Sequence, residues 1–197
     1  MRDSYDYDVF LSYRRKPPVS EWVHNHFKLQ LESWLAESAP FEPRIFVDTD
    51  QIDTGAEWPA KLRQALARSC IMVCVWSPSY FRSRWCLAEP RTMQERERLL
   101  NMRTDDNPEG LIFPLRYHDG EHFPPDVASI EYLDVSAVNH PALSFRDTAQ
   151  FMSLIERVQE LADGLSNALQ RVPVRSDAWP VITPEPGPAP VVALPRL

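Results

Sequence analysis

Hydrophobic and polar positions alternate between two rhythms along this chain. Short apolar runs at residues 7–13, 44–48, 70–76 and 111–117 are each closed by polar or proline-rich residues, and they predict strands. A weaker run at 130–134 follows an irregular stretch around Pro124 and Pro125 and predicts a fifth. Between the strands, apolar residues recur at helical spacing. Val23, Phe27, Leu31, Trp34 and Leu35 mark the first helix, with Ser20 as its expected N-cap. Trp58, Leu62, Ala65 and Leu66 mark the second, and Thr54 with Glu57 has the spacing of a capping box for it. A helical segment runs through Trp85, Leu87, Met93, Leu99 and Leu100. The last helix is carried by Phe151, Leu154, Ile155, Val158, Leu161, Leu165 and Leu169.

The run at 70–76 is almost wholly apolar, which suits the interior of a parallel sheet covered on both faces. Strands and helices in alternation predict right-handed βαβ units. The expected architecture is therefore three-layer α/β, a five-stranded parallel sheet with helices on both faces in flavodoxin-like order. From Val172 onward the prolines crowd together and periodicity stops. Residues 1–171 are read as the folded domain and 172–197 as an extended, solvated tail.

Composition narrows the function. Apolar residues at 44% and charged residues at 25% describe a globular protein, and a net charge of −7 disfavours a nucleic-acid binder. The densest basic cluster, Arg14-Arg15-Lys16, is too short for a duplex-binding face. No apolar run reaches the ~18 residues a membrane span needs, and the first residues lead into a strand without a signal-peptide core. A cytoplasmic protein without membrane contact is expected. Cys70, Cys74 and Cys86 lack metal-site spacing, and Cys70 and Cys74 read as small buried hydrophobes. His24, His26, His118, His122 and His140 are scattered and read as surface or capping residues, so no metal is expected. With five glycines there is no phosphate-binding Gly-rich loop, and neither a zincin motif nor a nucleophile elbow occurs.

Ligands of open parallel sheets bind outside the carboxyl ends of the strands. Those ends carry Ser12, Tyr13, Arg14 and Arg15 after strand one, and a polar loop from Asp48 to residue 55 after strand two. Ser77-Pro78-Ser79 follows strand three, and the segment through Trp85 and Glu89 comes directly after it. Polar and aromatic groups from separate parts of the sequence thus share one rim.

At these residues the chain resembles the TIR (Toll/interleukin-1 receptor) domain family. Tyr7-Asp8-Val9-Phe10-Leu11-Ser12-Tyr13-Arg14-Arg15 looks like the first TIR box. Ile45-Phe46-Val47-Asp48 with Ile52 and Gly55 is similar to the second strand and the BB loop. Trp76-Ser77-Pro78-Ser79-Tyr80-Phe81 through Ser83, Trp85, Cys86 and Glu89 resembles the third-strand exit and the tryptophan-x-x-x-glutamate box. The resemblance covers roughly residues 5–135. It implies cleavage of the nicotinamide–ribose bond of NAD⁺, taken as substrate and not as a cofactor, with Glu89 as the catalytic carboxylate. It further implies that Arg15 and Phe46 line the mononucleotide pocket, that Trp85 is the aromatic member of the box, and that the loop after Asp48 is a flap.

The chemistry asks for little equipment. Nicotinamide leaves NAD⁺ from a cationic pyridinium and needs no protonation, so one carboxylate suffices where a glycosidase needs two. Preorganised negative charge in a partly dry cleft stabilises the oxocarbenium-like sugar. Trp85 and Phe46 would stack on the flat ring, and Arg14 or Arg15 would neutralise the pyrophosphate. Pro90 complicates the picture, because proline is poorly tolerated inside a helix. Either a helix starts near Ser83 and kinks at Pro90, or regular helix begins at Pro90 and leaves Glu89 at a helix N-terminus, where its pKa would be lowered. Three classes of TIR protein stay open. One is an NAD⁺-consuming enzyme of bacterial antiphage defence, as in Thoeris-type systems, activated by TIR–TIR self-association and making ADP-ribose or a cyclic ADP-ribose signal for a separate effector. The others are a non-enzymatic TIR–TIR adaptor and a virulence factor acting on host TIR signalling.

Overall fold

The computed structural model describes residues 2–47, 58–118, 123–124, 127 and 130–184. Five parallel strands form one sheet: β1 (Tyr7–Tyr13), β2 (Ile45–Val47), β3 (Ser69–Trp76), β4 (Ile112–Arg116) and β5 (Leu133–Asp134). Their order is β2-β1-β3-β4-β5, with Val9 opposite both Ile45 and Ile71 and Met72 opposite Ile112. This is the flavodoxin-like order expected from the alternation of elements. Every residue of β3 is buried, as its unbroken apolar run requires in the middle of a covered sheet.

The helices are α1 (Val19–Trp22), α2 (Lys28–Ser38), α3 (Trp58–Ala67), α4 (Pro78–Phe81), α5 (Arg84–Leu99) and α6 (Ala149–Arg171). Because successive side chains of a strand point to opposite faces, β1 shows where the layers lie. Ser12 reaches Glu89 of α5 on one face, while Tyr13 reaches His24 on the other. On the α5 side, the buried Arg96 guanidinium donates to the carbonyls of Leu66 and Ser69 and closes the C-terminal end of α3. On the far side, α2 packs along α6, whose buried stripe runs through Leu154, Val158, Ala162, Leu165 and Leu169.

Several sequence expectations are corrected. The fifth strand is two residues long instead of five. In the observed register, with Leu115 opposite Leu133, the next ladder bond toward the strand start would run from residue 114 to the Glu131 carbonyl. That residue is Pro114, which has no N–H to give. Ser20 is not the N-cap of the first helix. The backbone turns helical from Val19 and passes through a π-helical turn at Val23–Phe27 into α2, so Ser20 lies within the helix. Nor is the chain after Val172 free through 184. Tyr5 donates to the Pro173 carbonyl, Ile182 N–H donates to Thr92 Oγ1 at 2.9 Å, and the Arg96 guanidinium lies 4.7 Å from the centre of the Trp179 ring. The segment is irregular, but its backbone groups find side-chain partners. The expected capping box at Thr54 and Glu57 lies outside the described residues. Among the described residues no helix is long and apolar enough to cross a membrane.

His26, read as a surface or capping residue, is buried beside Phe145 and Phe151. Its Nε2–H donates to the carbonyls of Pro141 and Ala142 at 3.3 and 3.0 Å, while Nδ1 meets no partner among the described residues. Protonation would bury a second N–H with nothing to receive it. Burial accordingly holds the His26 pKa below its ordinary 6.5. The unfolded chain takes up a proton near pH 6.5 that the folded chain refuses, so this contribution to stability is complete above that pH and declines below it. The denaturant midpoint is expected to fall between about pH 7.5 and 5.5 in the wild type and to fall less in His26→Gln. Equal pH dependence in both proteins would refute the assignment.

Candidate active site

The sheet order reverses between β1 and β3, and the crevice outside their carboxyl ends is where such folds take ligands. A cavity of about 130 Å³ lies there. One wall is the end of β1 from Phe10 to Arg15; the other is the start of α5 with Ser83, Trp85, Cys86 and Glu89. Its volume is below the ~300–1,000 Å³ typical of a whole ligand site. It is the size of one compact group, and a longer ligand would extend over the open rim.

Local chemistry fixes the α5 wall. Ser83 has extended backbone angles and its side chain accepts the Cys86 N–H at 3.4 Å, which starts the helix at Arg84. Trp85 and Glu89 are four residues apart and Cys86 and Glu89 three, so all three present one face to the cavity. Glu89 is only 6% exposed, and its Oε2 accepts the hydroxyl of Ser12 at 2.5 Å. Of the two arrangements open for Pro90, the one starting regular helix at Pro90 is overturned. Ser83 caps the helix well upstream, Pro90 sits inside it, and Glu89 lies beyond the first turn, where the helix terminus acts most strongly. Proline removes the donor that the Cys86 carbonyl would have met. The following turn is reinforced by Thr92, whose hydroxyl donates to the Ala88 carbonyl at 3.0 Å.

The cavity gathers Ser12, Tyr13, Arg14, Arg15, Trp85 and Glu89 from the rim residues singled out in the sequence. Tyr13 turns its hydroxyl away to His24 Nε2 at 2.8 Å and meets the thiol of Cys86 through its carbonyl. Two rim residues are not in the lining. Phe46 stacks behind Phe10 at 5.2 Å and packs edge-on to Tyr7, so it supports the wall from the β2 side. Ser77 is the N-cap of α4: its buried Oγ accepts the Tyr80 N–H at 3.2 Å and pairs with Ser79 Oγ. Asp48 lies outside the described residues.

Sequence reasoning missed Cys86 and Tyr80. Burial pushes the Cys86 thiol up to about 12, with the nearby Glu89 carboxylate pushing the same way, so the sulfur stays a thiol at neutral pH and is a poor nucleophile. Tyr80 is fully buried, and burial holds its phenol well above the usual 10, with the negative charge of Glu89 adding to the effect. Its hydroxyl lies 2.6 Å from Ser12 Oγ. The position of Tyr80 three residues past the Ser77 cap was the available signal, since it turns the ring inward under β1. Among the described residues no group of three or more His, Cys, Asp or Glu side chains is placed to hold a metal ion.

Known proteins similar to this chain point to one family. The TIR domain family model matches residues 9–148, well over half of the chain. The TMV resistance protein N of Nicotiana glutinosa is 28% identical over 85 residues, which is 43% of this chain but 7% of that much longer protein. Among solved structures, the TIR domain of the Toll-related receptor TRR-2 from Hydra magnipapillata is 20% identical with a TM-score of 0.47, the alignment covering 78% of this chain and 98% of that one. The TIR domains of the activated Roq1 resistosome, described as directly recognizing the pathogen effector XopQ, are 21% identical with a TM-score of 0.41, covering 84% and 96%. The match of the family model, together with the boxes that build the crevice, leads to one conclusion: the chain belongs to the TIR domain family.

Proposed function

We propose that this TIR domain cleaves the nicotinamide–ribose bond of NAD⁺, with Glu89 as the catalytic carboxylate. The observation that carries the reading is the setting of Glu89, nearly enclosed and fixed by Ser12 in a cavity that also holds an indole and two guanidiniums. The C1′–N bond breaks and its electron pair leaves with neutral nicotinamide. Glu89 stabilises the cationic sugar and accepts from its hydroxyls. Trp85 gives the flat ring an apolar face, and Arg14 and Arg15 meet the pyrophosphate. Phe46 belongs to the wall through Phe10, and Ser77 serves the site by holding α4.

Water attacking C1′ gives ADP-ribose and a proton; a nucleophile of the same substrate gives a cyclic isomer. Either product follows from the same first step. In this reading the protein works in the cytoplasm as the signal-producing partner of a bacterial antiphage system of Thoeris type, and a separate effector binds the product. Self-association through TIR–TIR contacts completes a site whose enclosed part is smaller than the dinucleotide.

Incubation of concentrated protein with NAD⁺, followed by mass spectrometry, tests the proposal. Nicotinamide and an ADP-ribosyl product should appear with wild type and not with Glu89→Ala. Equal release from both removes Glu89 from the chemistry. No release under any assembly condition turns the reading toward a non-enzymatic TIR–TIR adaptor, or a virulence factor acting on host signalling.

A further inference from the structure

We infer that Tyr80 is a positioning residue for Glu89, acting through the hydroxyl of Ser12. The inference rests on the reading of Glu89 as the reacting carboxylate, but the hydrogen-bond chain behind it follows from counting protons. Ser12 Oγ lies 2.5 Å from Glu89 Oε2 and 2.6 Å from Tyr80 Oη, and all three side chains are buried. An ionised carboxylate can only accept, and a serine hydroxyl has one hydrogen to give. With Glu89 ionised, that hydrogen goes to the carboxylate and the bond between Ser12 and Tyr80 is donated by the tyrosine. The order is then Tyr80 O–H to Ser12 O–H to Glu89 Oε2.

Each member sits on a different element. Ser12 is at the end of β1, Tyr80 on α4 and Glu89 on α5, so the chain ties together the two walls of the cavity and the helix beneath them. Burial keeps Tyr80 protonated and therefore always a donor. Without it, the Ser12 hydroxyl is a free rotor whose hydrogen has other orientations. With it, one lone pair of Ser12 is occupied and its hydrogen is directed at the carboxylate. Hydrogen bonds in series also polarise one another, which strengthens the bond that reaches the charge. A buried tyrosine hydroxyl is satisfied by any carbonyl. Here it meets the side chain that holds Glu89, and its other side-chain hydrogen-bond partner is the neutral thiol of Cys74.

Cys74 on β3 and Cys86 on α5 both sense the charge of Glu89, and burial raises both thiols so that they remain neutral. Arg14 and Arg15 share the cavity and carry permanent charge that substitution at Tyr80 does not remove.

The test uses the full chain and two readouts. In ¹³C NMR titration of the Glu89 carboxyl, which needs no turnover, the midpoint is expected to rise by about one pH unit in Tyr80→Phe. Ser12→Ala should raise it at least as far, and the double variant no further than Ser12→Ala alone. Replacement of Tyr80 by 3-fluorotyrosine keeps the packing, donates more strongly and should lower the midpoint. In nicotinamide release, Tyr80→Phe should lose about tenfold in kcat with KM changed less than about twofold. A midpoint unmoved by both Tyr80→Phe and fluorotyrosine, or additive effects in the double variant, overturns the inference. Should wild type release no nicotinamide while the titration shifts persist, the enzymatic reading fails and the positioning chain stands.

Discussion

Glu89→Gln is expected to lower nicotinamide release by about 10²–10³-fold, the usual cost of deleting one preorganised electrostatic group. Glutamine keeps the volume and can still accept from Ser12 through its amide oxygen, so the cavity wall is unchanged. What disappears is the negative charge opposite the forming sugar cation. The loss should appear in kcat and in kcat/KM alike, because the charge acts on the transition state and only weakly on a substrate whose sugar is still neutral. Folding should not suffer. Glu89 is 6% exposed, and a neutral amide is easier to bury than a carboxylate, so stability is expected to stay within about 1 kcal/mol of wild type. Single-turnover release at saturating NAD⁺, measured beside a denaturant melt, separates the two effects. Release within threefold of wild type, on the scale where tenfold is about 1.4 kcal/mol, would exclude Glu89 as the catalytic group.

The same carboxylate shows how far the sequence could be read. A short apolar run ending at Tyr13 and a tryptophan four residues before Glu89 were enough to bring both to one crevice, because strand ends and helix faces are local properties of the pattern. β1 and β3 were legible for that reason. Contacts across elements were not. Ser77 read as a rim residue because it follows β3, yet a serine before a proline-led turn is claimed by the N–H of Tyr80 three residues on. Phe46 read as a ring platform, but its partner is Phe10 on the neighbouring strand. The length of β5 depended on which edge of β4 the missing N–H of Pro114 faced, which the register of the neighbouring strands decides. Pro90 carried the opposite lesson. Its preference against helix was outweighed by the Ser83 cap upstream and by the burial of the proline itself. The arginines and Ser12 were visible as residue types; that Tyr80 stands behind Ser12 needed the three-dimensional path of α4.

Asp8→Ala is expected to destabilise the fold by about 3 kcal/mol, a cost on the scale of a large core truncation. The Asp8 carboxylate is fully buried on β1 and accepts three kinds of donor: the Arg44 backbone N–H at 2.7 Å, the Arg44 guanidinium and the Arg2 guanidinium, whose Nε lies at 2.6 Å. The Asp8 N–H in turn donates to the Arg44 carbonyl at 2.8 Å, so one residue fastens the entry of β2 to β1. Removing the side chain leaves the Arg44 N–H at the entry of β2 without its acceptor, while the two guanidiniums, partly exposed, regain water and limit the loss. Burial alone would raise the Asp8 pKa, but the bonds from Arg44 and Arg2 outweigh it and hold it below the ordinary 3.8. A depressed carboxylate contributes stability that is complete above its unfolded pKa and is lost as pH falls through the folded one. The gap between wild type and Asp8→Ala should therefore be constant near neutrality and shrink once the pH drops below about 4. Asp8→Asn retains an acceptor for the Arg44 N–H and should cost about half as much. Because β2 has three residues and carries Phe46 against Phe10, amide exchange at Ile45, Phe46 and Val47 should accelerate in Asp8→Ala before the rest of the sheet responds. A gap that persists unchanged below pH 3, or exchange at β2 no faster than at β3, would remove Asp8 as the anchor of the strand that backs the cavity.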